Sequence, residues 1–267
     1  MGNKKAIWLT DLHLNFLDPR SNQRFIGQIQ NEEPDIILIG GDTGEAHNVI
    51  SYLKELEQSL GSQIYFVLGN HDFYKGSIFQ VREEAKNAAN MSERLFYLDE
   101  TPFVELSEDT ALIGHSSWAD GRFGDYGISN VMLNDYLLIN ELSGLTKADR
   151  LQHLNRLGDE AASHLQSSLE MVVEKYRNIF CLTHVPPFRE SCWHEGRISE
   201  DDYLPHFSCK AVGDVLKTTM QGNPDSYLTV LCGHTHSSGN FQALDNLEVL
   251  TGEAKYGQPK IQKVIYL

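Results

Sequence analysis

The chain has 267 residues and carries 22 Lys and Arg against 37 Asp and Glu, a formal charge of −15. That acidity excludes broad binding to nucleic acid or to an anionic membrane, since both need basic surface to displace counterions. A compact anionic substrate held by local positive charge stays open, and the length suits one α/β domain over residues 1–267 with a sizeable core.

The chain opens Met1-Gly2-Asn3-Lys4-Lys5 and runs straight into Ala6-Ile7-Trp8-Leu9. This apolar run is too short for a signal peptide. Ala6, where a Ser or Thr is needed, argues against myristoylation of Gly2. The apolar run is itself a strand that stops at Thr10-Asp11-Leu12-His13, and a helix is expected over 20–32. The same grammar returns as Asp35-Ile36-Ile37-Leu38-Ile39-Gly40-Gly41-Asp42, followed by a helix over 46–60. It returns again as Ile64-Tyr65-Phe66-Val67-Leu68-Gly69-Asn70-His71-Asp72, with a helix over 77–91. Near-continuous apolar runs indicate strands buried on both faces, and their alternation with helices predicts βαβ crossovers and a largely parallel sheet.

A further strand-like run, Ala111-Leu112-Ile113-Gly114, ends at His115 and opens a loop insertion over 115–134 holding Trp118 and Arg122. A long helix over 147–176 precedes the strand Ile179-Phe180-Cys181-Leu182, which stops at Thr183-His184. A second insertion over 186–208 holds Arg189, Trp193, His194 and Arg197. The last buried run, 227–232, ends in Gly233-His234-Thr235-His236. Residues 241–244 and 247–251 flank Asp245-Asn246 as a hairpin, and 260–267 alternates like a final strand. No stretch reaches the length of about 18 apolar residues that a membrane span needs. The cysteines Cys181, Cys192, Cys209 and Cys232 lack C-x-x-C spacing, so reduced thiols and a cytoplasmic location are expected.

In open α/β sheets the ligand crevice lies beyond the carboxyl ends of the strands. Five such ends present Asp11, His13, Asp42, Asn70, His71, His184, His234 and His236, which include five of the chain's 11 histidines. Extended backbone repeats every two residues, so Asp11-x-His13 and His234-x-His236 could each offer two donors to one ion. Four imidazoles, two carboxylates and one side-chain amide form a nitrogen–oxygen set suited to Mn, Fe or Zn. Seven donors exceed the need of one tetrahedral ion, so two divalent transition-metal ions sharing a carboxylate are expected. Two such ions about 3.5–4 Å apart clamp a phosphoryl group, acidify a water and neutralise developing charge.

The blocks Asp11-Leu12-His13, Gly41-Asp42, Gly69-Asn70-His71-Asp72, Thr183-His184-Val185-Pro186-Pro187 and Gly233-His234-Thr235-His236 resemble those of the calcineurin-like metallophosphoesterases. All five occur in family order, although the resemblance says nothing about the two insertions. It implies a four-layer αββα sandwich with a dinuclear centre. Asp11, His13 and His236 would hold the first ion. Asn70, His184 and His234 would hold the second, with Asp42 bridging. His71 would stay unligated over the phosphate as a catalytic residue, with Asp72 orienting its imidazole.

The leading expectation is thus a metal-dependent phosphoesterase acting on a small phosphorylated substrate. A DNA nuclease of the same superfamily would need an extended basic surface, and no Lys/Arg run exists beyond Lys4-Lys5. A non-catalytic interaction module on this fold would be expected to lack part of the ligand set, and none of the seven positions is replaced. His115 reads as a rim or packing residue, and His47, His153 and His164 as solvated. Trp118 and Trp193 are candidate pocket walls. Arg122, Arg189 and Arg197 could clamp a phosphate but read more simply as solvated loop cations.

Overall fold

The computed structural model describes residues 4–267, so Gly2 lies outside the described residues. The first half runs β1 (Lys5–Leu9), α1 (Pro19–Asn31), β2 (Ile36–Gly40), α2 (Val49–Leu60), β3 (Gln63–Val67), α3 (Ile78–Asn90) and β4 (Leu95–Tyr97). Then come β5 (Val104–Ser107), β6 (Thr110–His115), α4 (Asp135–Leu138), α5 (Lys147–Val172) and β7 (Asn178–Thr183). After β8 (Trp193–His194), β9 (Arg197–Ile198), α6 (Leu204–Phe207) and α7 (Lys210–Gly222), the chain closes with four strands. These are β10 (Tyr227–Cys232), β11 (Gly239–Leu244), β12 (Leu247–Thr251) and β13 (Lys263–Tyr266). Helix starts follow local chemistry. Asp18 accepts from the N–H groups of Arg20 and Ser21 ahead of Pro19, and Ser77 and Thr146 cap α3 and α5.

Two sheets form, in the orders β13-β1-β2-β3-β4 and β11-β12-β10-β7-β6-β5. Strands β1 to β4 are parallel, as are β6, β7, β10 and β12. Strands β13, β11 and β5 join antiparallel at the edges. Side-chain alternation then sorts each strand between two layers. Ile7, Leu9, Ile37 and Ile39 pack against Phe25, Ile29, Leu53 and Val81 of the helices. Ala6, Trp8, Ile36 and Leu38 face Leu112, Leu182 and Leu231 of the other sheet. Ile113, Ile179 and Val230 meet Leu165, Leu169 and Leu216 of α5 and α7. Helix, sheet, sheet, helix is the four-layer sandwich. Each fully buried Leu or Ile stabilises by about 1.5–3 kcal/mol, so these layers hold the strand ends rigidly.

The sequence reading places no element at β4, α4, α6 or the 13-residue α7, and other details differ as well. The β5–β6 hairpin has an exposed polar turn and only its second strand has a continuous apolar pattern. The β8–β9 ladder inside the second insertion has two residues a side. Strand β12 pairs parallel with β10 as well as antiparallel with β11, since the chain reverses before the hairpin begins.

Candidate metal centre

The carboxyl ends of β1, β2, β3, β7 and β10 meet at one rim, tied together by main-chain bonds. Asp11 N–H donates to Gly41 O (3.0 Å), His13 N–H to Asp42 O (2.8 Å) and Gly233 N–H to His184 O (2.8 Å). Asp11, His13, Asp42, His234 and His236 all have left-handed backbone, with φ of 50°, 44°, 53°, 70° and 62°. Such conformations cost an L-residue roughly 1–2 kcal/mol and concentrate where function over-determines the backbone. The extended two-residue period therefore does not place these pairs: β1 ends at Leu9, two residues before Asp11. Nor do both pairs serve one site. Asp11 and His13 share a cluster, whereas His234 and His236 point into different ones.

The first cluster joins Asp11, His13, Asp42 and His236, whose ligand atoms all lie within 4.8 Å of one another. His13 Nε2 is 3.2 Å from His236 Nε2 and 3.8 Å from Asp42 Oδ2, and His236 Nε2 is 3.4 Å from Asp11 Oδ1. The second cluster joins Asn70, His184, His234 and the other oxygen of Asp42. His184 Nδ1 lies 2.8 Å from Gly40 O and His234 Nε2 lies 3.2 Å from His206 O. A carbonyl only accepts, so these two nitrogens carry the protons. That leaves His184 Nε2 and His234 Nδ1 as bare lone pairs, 3.0 Å and 2.9 Å from Asn70 Oδ1. His184 Nε2 is also 3.4 Å from Asp42 Oδ1. Asn70 cannot flip to relieve this, because its Nδ2 donates to the Asp135 carboxylate at 2.8 Å.

In the second cluster His184 Nε2, His234 Nδ1 and Asn70 Oδ1 thus converge with no proton among them, an arrangement that repels itself until a cation enters. Electrostatics agrees. Burial pushes His234 down to about 3, aided by His184, and pushes His13 down to about 3 against the pull of Asp11, so both imidazoles are neutral. Burial, then Asp11, Asp72 and Asp135, raise the Asp42 carboxyl well above the carboxylate range. Burial works against the charged form of His236, but its hydrogen bond to Asp11 outweighs this and raises the imidazole, so that pair shares a proton that a cation would displace. Neutral His13 and His234 beside crowded carboxylates fit divalent cations. The donor chemistry matches Mn, Fe or Zn.

His71 lines the cleft outside both clusters. Its N–H donates to Asp42 Oδ1 (2.8 Å), and its ring stacks on Tyr74 with centroids 4.2 Å apart. Asp72 does not orient that ring. Its two oxygens accept the main-chain N–H groups of Gly44 and Gly69, both at 2.8 Å, so it ties two site loops together. Gly69 itself packs tightly, since a Cβ there would meet Asp42 Oδ1 at 2.1 Å and His184 Cε1 at 2.7 Å. Gly69→Ala is expected to cost about 1–3 kcal/mol by overpacking and to weaken ion binding. Thermal unfolding of the ion-free protein checks the first effect. An unchanged midpoint and unchanged ion content would contradict the close approach.

The loop arginines and His115 follow the expectation, whereas the loop tryptophans and His164 depart from it. Arg122 pairs with Asp120 (3.0 Å) and Asp159 (2.7 Å), Arg189 with Asp201, and Arg197 with Glu200 (3.0 Å); none lines the cleft. Trp118 is buried against Phe73, and Trp193 packs over Gly239. His115 is a packing residue, its Nδ1 accepting from Ser117 N–H at 2.9 Å. His164 is half-buried rather than fully solvated; its ring lies 5.1 Å from His115 with Nε2 buried. The cleft walls are instead Tyr74, Asn134, Asp135, His194, Phe207 and Tyr256. Within the expected insertions His194 was marked only by its loop, and Tyr256 carries no sequence signal beyond being a loop aromatic.

This fold and this site define a metallophosphoesterase-type protein, and comparison with known proteins agrees. The calcineurin-like phosphoesterase family matches residues 5–238, and the chain belongs to that family. No curated protein matches it in overall sequence. Among solved structures it is similar to the phosphopantetheinyl hydrolase PptH of Mycobacterium tuberculosis, at 14% identity and a TM-score of 0.69, covering 96% of this chain and 91% of that one. It is similar to a dimetal phosphatase of Danio rerio, at 12% identity and TM-score 0.64, covering 100% and 93%. It is also similar to GAP50, the anchor in the inner membrane complex of Plasmodium, at 13% identity and TM-score 0.51, covering 98% and 77%. Identities this low speak for the fold. An anchor among the neighbours means that function must be argued from the site.

Proposed function

We propose that this chain hydrolyses an ester bond of a small phosphorylated substrate with two divalent transition-metal ions, Mn, Fe or Zn. The observation that carries the reading is Asp42, which offers Oδ2 to the first cluster and Oδ1 to the second. Asp11, His13 and His236 would hold one ion; Asn70, His184 and His234 would hold the other. When bound, such ions supply Lewis acidity toward the phosphoryl oxygens and acidify a water. The chain supplies the rest. The left-handed turns aim the donors, the His184 and His234 tautomers are set by main-chain carbonyls, and His71 stands free at the cleft for the phosphoryl group or leaving group.

The cleft volume of about 310 Å³ is small, and its lining holds no lysine or arginine. Substrate charge would therefore be met by the ions alone, which favours a compact phosphate ester over a long polyanion. This supports neither an extended nucleic-acid partner nor a membrane partner. No described helix is long and apolar enough to cross a membrane. The four buried free thiols support a cytoplasmic setting.

The test supplies Mn²⁺, Fe²⁺ and Zn²⁺ separately to ion-stripped protein against phosphomonoesters, diesters and pyrophosphates. Activity is expected only after ion addition, and only on small substrates. Full turnover in the stripped protein, or a preference for duplex or single-stranded DNA, overturns the proposal.

A further inference from the structure

We infer that α4 is the element that sets the second ion site, because two adjacent residues hold two of its ligands through separate contacts. Asp135 and Tyr136 are both buried and belong to the loop region between β6 and α5, far in sequence from every expected ligand. The inference rests on the two-ion reading above and adds to it the residues that position the ligands.

The first contact is direct. Asp135 Oδ1 accepts from Asn70 Nδ2 at 2.8 Å and from Tyr74 Oη at 2.7 Å. A carboxylate has no proton to give, so it accepts only the NH₂ side of the amide. Asn70 Oδ1 is thereby turned toward His184 and His234. Without Asp135 the amide could rotate and present NH₂ to the ion, which cannot ligate.

The second contact runs through His206. Ser129 Oγ donates to Asp202 O at 2.7 Å, so it accepts from His206 Nε2 at 3.0 Å. His206 Nδ1 is then the acceptor for Tyr136 Oη at 2.5 Å. With its ring fixed on both sides, His206 places its main-chain carbonyl 3.2 Å from His234 Nε2. That contact holds the proton on Nε2 and leaves Nδ1 for the ion. Outer partners of this kind usually govern ligand orientation and affinity.

The helix is itself anchored to the loop that carries Asn70. Lys75 N–H donates to Leu138 O (2.8 Å), Asn140 N–H to Gly76 O (3.0 Å), and Glu141 accepts from Ile78 N–H (3.0 Å) at the start of α3. The Arg150 guanidinium lies 4.2 Å from the Tyr136 ring centroid. Asp135 and Tyr136 therefore act from a fixed frame on ligands delivered by both sheets.

The experiment titrates Mn²⁺ into ion-free protein by calorimetry for the wild type, Asp135→Ala, Asp135→Asn and Tyr136→Phe. The wild type is expected to bind two ions. Asp135→Ala and Tyr136→Phe should each weaken one ion by about ten- to a hundredfold and leave the other unchanged. Asp135→Asn should recover most of the affinity, because its amide oxygen still accepts from Asn70 and Tyr74. A His236→Ala background, in which the second cluster alone is complete, assigns the loss to that cluster. Tyr136→Phe removes one hydroxyl and keeps the ring under Arg150, so it decides the matter even if Asp135→Ala unfolds. Wild-type affinity for both ions in Asp135→Ala and Tyr136→Phe overturns this inference alone, as does equal weakening of both ions. A wild type that binds one ion overturns the two-ion reading and this inference with it.

Discussion

Asp42→Ala is expected to lower kcat/KM by about 10⁴-fold or more, because several kcal/mol of charge stabilisation depart with the ions. Among the described residues Asp42 is the one side chain whose two oxygens face different clusters, at 3.8 Å from His13 Nε2 and 3.4 Å from His184 Nε2. Its removal should reduce occupancy at both sites, whereas Asp11→Ala should empty mainly the first. Ion content after gel filtration, measured by mass spectrometry, separates the two cases. Two tightly held ions in Asp42→Ala would sink the bridging role.

The same residue should show opposite effects on stability with and without ions. In the ion-free protein its carboxyl is raised well above the ordinary range by burial and by Asp11, Asp72 and Asp135. Carboxylates crowded in this way disfavour the folded state until a cation enters. Asp42→Asn keeps an acceptor for His71 N–H and removes the charge. Its ion-free form should therefore melt above the ion-free wild type, while it gains less from added Mn²⁺. Equal melting shifts for both proteins on Mn²⁺ addition would contradict the account.

The donors were legible in the sequence because each buried strand is nearly all apolar and stops abruptly at Asp, Asn or His. The same contrast placed α1, α2, α3 and α5 but not α7, and the expected 20–32 and 77–91 correspond to α1 and α3 within a residue at each end. The left-handed turns were not legible, since Asp and His tolerate that backbone without requiring it. The groups that set the histidine tautomers are main-chain carbonyls of Gly40 and His206, which carry no residue signature. Asp135 reaches Asn70 across a sequence separation of 65, and nothing local to either residue announces it. Loop tryptophans misled for a different reason. Trp118 is 4% exposed against Phe73, because an insertion this long folds part of itself into the core. The arginines are the loop cations expected, away from the cleft, and the acidic surplus gives each one a nearby carboxylate.

His71→Ala is expected to lower kcat by about 10² to 10⁴-fold, the usual range for a positioned acid–base or hydrogen-bonding group, with both ions retained. The contact to Asp42 Oδ1 is made by the His71 main-chain N–H, so the Asp42 carboxylate keeps that partner in the variant. The ring itself lies against Tyr74 and edge-on to His13, with centroids 4.2 Å and 4.6 Å apart, and is absent from the converging donor sets. Loss of bound ions in His71→Ala would instead make it a structural support of the centre. Burial, then His13, His184 and His236, push the imidazole down to about 2 in the ion-free protein. A ring held neutral can donate a hydrogen bond from its single N–H but has no second proton to release. His71→Asn separates these roles, because an amide donates a hydrogen bond and transfers no proton. Partial recovery of kcat in His71→Asn over His71→Ala identifies donation to the phosphoryl group. Equal rates identify proton transfer to the leaving group, which then requires the bound phosphate to raise the imidazole from its neutral state.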